Sequence, residues 1–289
     1  MPDSLTDPQR QFLQLLHLSV PGDPPPEVTQ AKAPASTAPP KRSTPAPAGP
    51  VPGSPRSAEA EAEAEAVPPP APPPAEDPVA APQKAVPALF DPPPDPQRLM
   101  RIATLDWLDL GHMITACRAC SLGETRKHAV VGAGNPRGSW LFVGEAPGAE
   151  EDRRGEAFVG RGGQLLDAML HAMGLSREHE VYIANILKCR PPNNRDPLGP
   201  EVHACIPYLQ RQIALLQPRI IVALGRFAAQ GLLQVDTPLA KLRGTPQQYQ
   251  GIPLIVTYHP AYLLRNPIDK RKVWEDLKRA LEVFAALQK

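Results

Sequence analysis

The fold is decided between Ser139 and Cys189, which read SWLFVGEAPGAEEDRRGEAFVGRGGQLLDAMLHAMGLSREHEVYIANILKC. Two short, nearly continuous apolar runs, WLFV and VYIANIL, flank a stretch in which Leu165, Leu166, Met169, Ala172 and Met173 recur at three- and four-residue spacing. The runs have the pattern of strands buried on both faces of a parallel sheet, and the stretch between them that of an amphipathic helix. The alternation continues outward through PEVHACIPYLQRQIALLQ, RIIVALG, RFAAQGLL, IPLIVTYHP and DKRKVWEDLKRALEVFAALQ, with Pro200 in the first turn of its helix, where proline is tolerated. The expected fold is therefore a three-layer α/β/α sandwich around a small, mostly parallel sheet of about four strands. Ligands of such folds bind beyond the carboxyl ends of the strands. Three polar segments fall there: GEAPGAEEDRRGEAFVG, then Asn185 with KCRPPNNRDP, then HPAYLLRNP. Their convergence on one pocket is the geometric expectation.

Composition divides the 289 residues before any motif does. Of 40 prolines, 27 lie in residues 1–100, far above the roughly 5% of an average chain. The same segment carries 7 Lys/Arg against 12 Asp/Glu, while residues 101–289 carry 24 against 18, so an acidic tail precedes a basic body. Residues 1–20, with Asp7-Pro8 ahead of Phe12, Leu13, Leu15, Leu16 and Leu18, fit a short amphipathic helix for docking on a protein partner or on the body itself. Residues 21–97 are a Pro/Ala-rich linker expected to be disordered, because almost no large apolar side chain offsets the entropy of ordering it. Residues 98–289 form the expected catalytic domain. No apolar run reaches the roughly 18 residues of a membrane span and no secretory signal opens the chain, so a soluble, cytoplasmic protein is expected.

Four cysteines in such a chain are expected as ligands or inert thiols, since cytosolic thiols are kept reduced. Cys117 and Cys120 form a C-x-x-C turn after the helical segment DWLDLGHMITA, Cys189 lies at the exit of the second strand, and Cys205 lies in the following helix. A zinc ribbon would bring a second close pair, whereas ligands so widely split suit an iron–sulfur cluster; zinc and plain core thiols stay open on spacing alone.

Taken together, GEAPGAEED with AFVGRGGQLLDAML, NILKCRPPNNRDP and TYHPAYLLR resemble the family 4, iron–sulfur branch of the uracil-DNA glycosylases, over residues 101–285. The resemblance implies a 4Fe–4S cluster on Cys117, Cys120, Cys189 and Cys205. It also implies hydrolysis of the N-glycosidic bond of deoxyuridine in single- and double-stranded DNA, the first step of base excision repair, and a location with the nucleoid. By the same resemblance Phe158 stacks on a flipped base, Asn185 presents an amide to O4 and N3–H, and His259 donates to O2. Backbone amides around Ala146 and Gly148 reach the uracil oxygens, and Glu151 stands beside C5, where thymine carries its methyl. Ala146 occupies the position at which the best-known branch has a water-orienting aspartate, so either Glu145, Glu151 or Asp152 serves the water, or DNA phosphates and the departing base stabilise an oxocarbenium-like sugar; the second is favoured, with Glu145 as the helper. The AYLLRNP loop is expected in the minor groove, with Leu263 or Leu264 filling the vacated space and Arg265 on a phosphate or base edge. Lys188, Arg190, Arg195 and Arg161 are candidate phosphate contacts. A cross-linking relative carries a basic insertion ending in a nucleophilic histidine; LKCRPPNNRDPLGPEVHA has no such insertion, and His203 is misplaced for that role. The rival expectation is a non-enzymatic iron–sulfur DNA-binding or polymerase-associated module. A monomer is the simplest way to close around one extruded nucleotide.

Overall fold

The computed structural model describes residues 95–288. The docking helix expected at 1–20, and all but the end of the linker expected at 21–97, lie outside them. The body opens with α1 (Pro96–Thr104), α2 (Trp107–Ala116) and the single turn α3 (Leu122–Thr125). Asp95 caps α1 through a 3.0 Å bond from the Gln97 amide, and Asp106 caps α2 through one of 2.9 Å from Asp109. The boundary expected at 97/98 thus falls inside a helix.

A sheet of six strands follows, in the order β1-β3-β2-β4-β6-β5. Its four central members are β2 (Trp140–Gly144), β3 (Val181–Asn185), β4 (Ile220–Leu224) and β6 (Ile252–Thr257), all parallel to one another. The expectation of about four strands counted this core and missed two short antiparallel edges, β1 (Ala133–Gly134) on β3 and β5 (Gln247–Tyr249) on β6. Such short strands lack a periodicity long enough to register in sequence. The connecting helices are α4 (Ala149–Arg154), α5 (Arg161–Ala172), α6 (Gly199–Leu216), α7 (Arg226–Leu233), α8 (Leu239–Leu242), α9 (Pro260–Arg265) and α10 (Lys270–Ala286).

Strand alternation fills both faces of the sheet. Leu141, Val143, Ala184, Ile221 and Val256 pack with Leu110, Ile114, Tyr208 and Leu209 on the side of α2 and α6. Trp140, Phe142, Ile183 and Val222 pack with Leu166, Met169, Trp274 and Leu277 on the side of α5 and α10. Every strand residue of β2, β3 and β4 is buried, which is why their sequence is continuous rather than alternating. β2 runs to β3 on one side, and the chain then returns to β4 on the other. This reversal opens a crevice above Gly144, Asn185 and Leu224 at the carboxyl ends of the strands.

Candidate functional site

Glu145, Ala146, Phe158, Asn185, His259 and Arg265 line one cleft at this end of the sheet. Asn185 is the last residue of β3, paired with Gly144 of β2. Its side chain is buried, and Oδ1 has no hydrogen-bond partner, an arrangement that burial makes costly unless a ligand completes it. A Cβ at Gly144 would stand 2.4 Å from Asn185 Oδ1 and 2.6 Å from Phe158 Cζ. Glycine is thus required there, because amide and ring flank the same point.

Phe158 has φ 55°, a left-handed conformation unfavourable for a bulky residue. Two clasps hold it. Glu151 Oε1 accepts from the amides of Val159 (3.0 Å) and Gly160 (2.8 Å), and Oε2 from that of Gly148 (3.1 Å). From the other side Arg177 donates to the carbonyls of Ala157 (2.8 Å) and Phe158 (2.7 Å), itself anchored 2.5 Å from Asp167. The Phe158 and His259 rings lie 5.5 Å apart between centroids.

His259 caps α9 by accepting the Ala261 amide on Nδ1 at 3.1 Å, which leaves the proton on Nε2 as a donor. Burial among packed neighbours lowers its pKa to about 4, with Arg265 lowering it further and Glu151 opposing, so the ring is neutral at physiological pH. Glu145 follows β2 directly. Burial and the neighbouring Asp196 raise its pKa to about 7, against the pull of Arg226.

Several expectations need correction. Leu263 is 1% exposed and belongs to the core with Ile255 and Val273, so it is no minor-groove wedge; Leu264, at 37%, faces solvent beside the exposed Arg265. AYLLR lies in a helix started by His259 and Pro260 and closed by Asn266, rather than in a loop. Gly148 cannot offer its amide to a ligand, because Glu151 takes it. Asp152 is buried and accepts the Lys127 amide at 2.8 Å, and both oxygens of Glu151 are engaged, leaving Glu145 as the carboxylate free to face the cleft. Lys188, expected on a phosphate, is 1% exposed and points inward; the other three cations behave differently. Arg161 lines the cleft from the surface, Arg195 also lines it but pairs with Glu201 at 2.5 Å, and Arg190 donates to Asn194 at 2.7 Å. Arg177 and Gly144 were missed altogether, since their partners lie nineteen and forty-one residues away along the chain.

Cys117, Cys120, Cys189 and Cys205 together line one small cavity, with Ile114, Arg126 and Tyr208 around them. Backbone and guanidinium N–H groups point at the sulfurs: Arg126 to Cys189 at 2.8 Å, Lys188 N to Cys205 at 3.1 Å and Ala119 N to Cys117 at 3.5 Å. Among the described residues no three Cys, His, Asp or Glu converge tightly enough to share a single ion. Four cysteines lining one cavity, three of their sulfurs met by N–H donors, fit the thiolate ligand set of an iron–sulfur cluster.

Residues 131–278 match the family model of the uracil DNA glycosylase superfamily. The chain belongs to that superfamily. Within it, a type-4 uracil-DNA glycosylase of Archaeoglobus fulgidus is 43% identical over 188 residues, covering 62% of this chain and 94% of the relative. One of Thermotoga maritima is 44% identical over 171 residues, covering 58% and 88%. A type-5 enzyme of Thermus thermophilus is more distant, 33% identical over 151 residues, 42% of this chain and 68% of the relative. The superfamily match spans Gly144, Asn185 and His259, whereas Cys117 and Cys120 precede it.

Proposed function

We propose that the protein is a type-4 uracil-DNA glycosylase that excises uracil from single- and double-stranded DNA by hydrolysis and leaves an abasic site. The observation that carries this reading is the meeting of an aromatic ring, an unsatisfied amide oxygen and a neutral imidazole donor at Phe158, Asn185 and His259. A base inside a duplex is unreachable, so it must leave the stack. Phe158 receives its face, held in place beforehand by Glu151 and Arg177. Asn185 Oδ1 takes the N3–H of uracil while its amide nitrogen donates to O4; cytosine, with an acceptor at N3 and a donor at C4, reverses both partners. As the glycosidic bond lengthens, negative charge grows on O2, and His259 Nε2–H stabilises it without giving up a proton. Glu145, flanking the sugar side, opposes the positive charge of the sugar and orients water. Glu151 acts mainly by fixing the Phe158 loop, and its family role beside C5 is exercised through that placement.

Arg265 and Arg161 meet phosphates at the cleft mouth, and Leu264 fills the gap in the duplex. Cys117, Cys120, Cys189 and Cys205 hold a 4Fe–4S cluster, which supplies a covalent staple between α2, the exit of β3 and α6. Among the described residues no helix is long and apolar enough to cross a membrane. A cytoplasmic monomer working on the nucleoid accords with this reading, as does a protein partner for residues 1–20.

The test is glycosylase assay of the purified, brown protein on oligonucleotides with one uracil, unpaired or opposite G or A. Release of free uracil with alkali-labile sites is expected. Intact visible absorbance with no release in any context would favour a binding module instead.

A further inference from the structure

We propose that Lys188 is a positioning residue that splices a break in the sheet and thereby fixes Asn185. The inference rests on the uracil reading above. β1 pairs with β3 antiparallel through Ala133↔Ile183 and Gly134↔Tyr182, so the same register would set Val131 opposite Asn185. The ladder stops before that point. Ile186 N bonds Gly144 O at 3.0 Å toward β2, so the Asn185 carbonyl faces the other way, into the gap. Lys188 Nζ fills it, donating to Asn185 O at 2.9 Å and to Gln212 Oε1 at 2.6 Å. Gln212 Nε2 then donates to Val131 O at 2.8 Å. Two side chains thus replace the missing bond between strands. Both are buried, at 1% and 0% exposure, so water does not substitute for either. The backbone of Lys188 is held as well, its carbonyl by Val130 N at 2.8 Å and its amide on Cys205 Sγ at 3.1 Å. On the side away from β2, Asn185 is therefore registered against the cysteine-bearing helix α6 through Lys188 and Gln212.

The test is a double-mutant cycle in the full-length, iron-loaded protein: Lys188→Met and Gln212→Leu, each alone and combined with Asn185→Ala. Misplacing a recognition group by about 1 Å costs up to ~10²-fold, so each single variant is expected to lose roughly 10- to 100-fold in kcat/KM for uracil. Neither should lose more than about twofold further once Asn185 is alanine, as expected of residues acting through one group. Hydrogen exchange supplies a readout apart from turnover: the amides of Ile186 and Leu187 should exchange at least ~10-fold faster, while those of Val222 and Ala223 in β4 stay unchanged. Equal losses in both backgrounds, no loss, or loss only in step with bleaching of the visible absorbance would overturn the proposal. If Lys188→Met does not fold, Gln212→Leu decides it. If the parent protein releases no uracil, the functional reading fails while the exchange measurement still decides the coupling.

Discussion

At His259 a single backbone amide sets the chemistry. Because Ala261 N–H occupies Nδ1, the ring is a neutral Nε2–H donor, and replacing it with alanine should lower kcat by about 10²–10³-fold with little change in KM. Single-turnover kinetics will measure this. Asn185→Asp should leave the fold intact and collapse the preference for uracil, read as the ratio of kcat/KM for uracil to that for cytosine. The two titrating groups pull stability in opposite directions. His259 has its pKa lowered from 6.5 to about 4, so the unfolded chain binds the proton more tightly in that window. Its contribution is complete above about pH 6.5 and is lost as the pH falls toward 4. Glu145 is raised from 4.5 to about 7, so its contribution is present at low pH and is lost as the pH rises through 7. Denaturant melts of Glu145→Gln should show no loss of stability from that group between pH 5 and 8. The same variant should lose the limb of kcat that rises through about pH 7 in the parent, since only the carboxylate serves the sugar cation and water.

The elements show what was legible in the sequence. Continuous apolar runs marked β2, β3, β4 and β6, and helical spacing marked α5, because burial on both faces and on one face leave different periods. Asn185 and His259 were legible as polar groups at strand ends, and Phe158 through its glycine-rich surroundings. Tertiary partners were not: nothing near Phe158 in the chain names Arg177, and nothing near Lys188 names Gln212. The helix of AYLLRNP was missed although His259 followed by Pro260 is a helix-start signal, and the phase of that short helix decides which leucine turns inward. The phase is testable. Leu264→Ala should weaken excision from duplex but barely from single-stranded DNA, whereas Leu263→Ala should cost about 2–5 kcal/mol of stability in a denaturant melt of the protein. Arg177→Ala should free the Phe158 carbonyl and lower kcat by roughly tenfold or more, with the folded state retained by far-UV circular dichroism.

On the scale of the molecule, α6 is the beam to which the rest is fastened. Cys205 and Gln212 project from it toward β3, while Arg211 donates to the Leu105 carbonyl at 2.6 Å and the Ala204 carbonyl receives Arg98 at 2.7 Å, with Arg98 also 4.9 Å over the Tyr208 ring. Removing residues 1–94 keeps Asp95, the cap of α1, and should leave uracil excision within roughly twofold of the whole chain, as an assay of the truncated protein will show. Affinity for DNA should fall steeply with salt in both forms, since the basic body is common to them. The polar fastenings of α1 and α2 are few, and the Cys117–Cys120 turn continues directly from α2. A cluster held by the four cysteines would tie α2 to the exit of β3 and to α6 at one point. Its loss is expected to speed limited proteolysis at the Leu105–Asp106 joint, while the core contacts of Ile102, Leu110 and Ile114 keep the leading helices on the body.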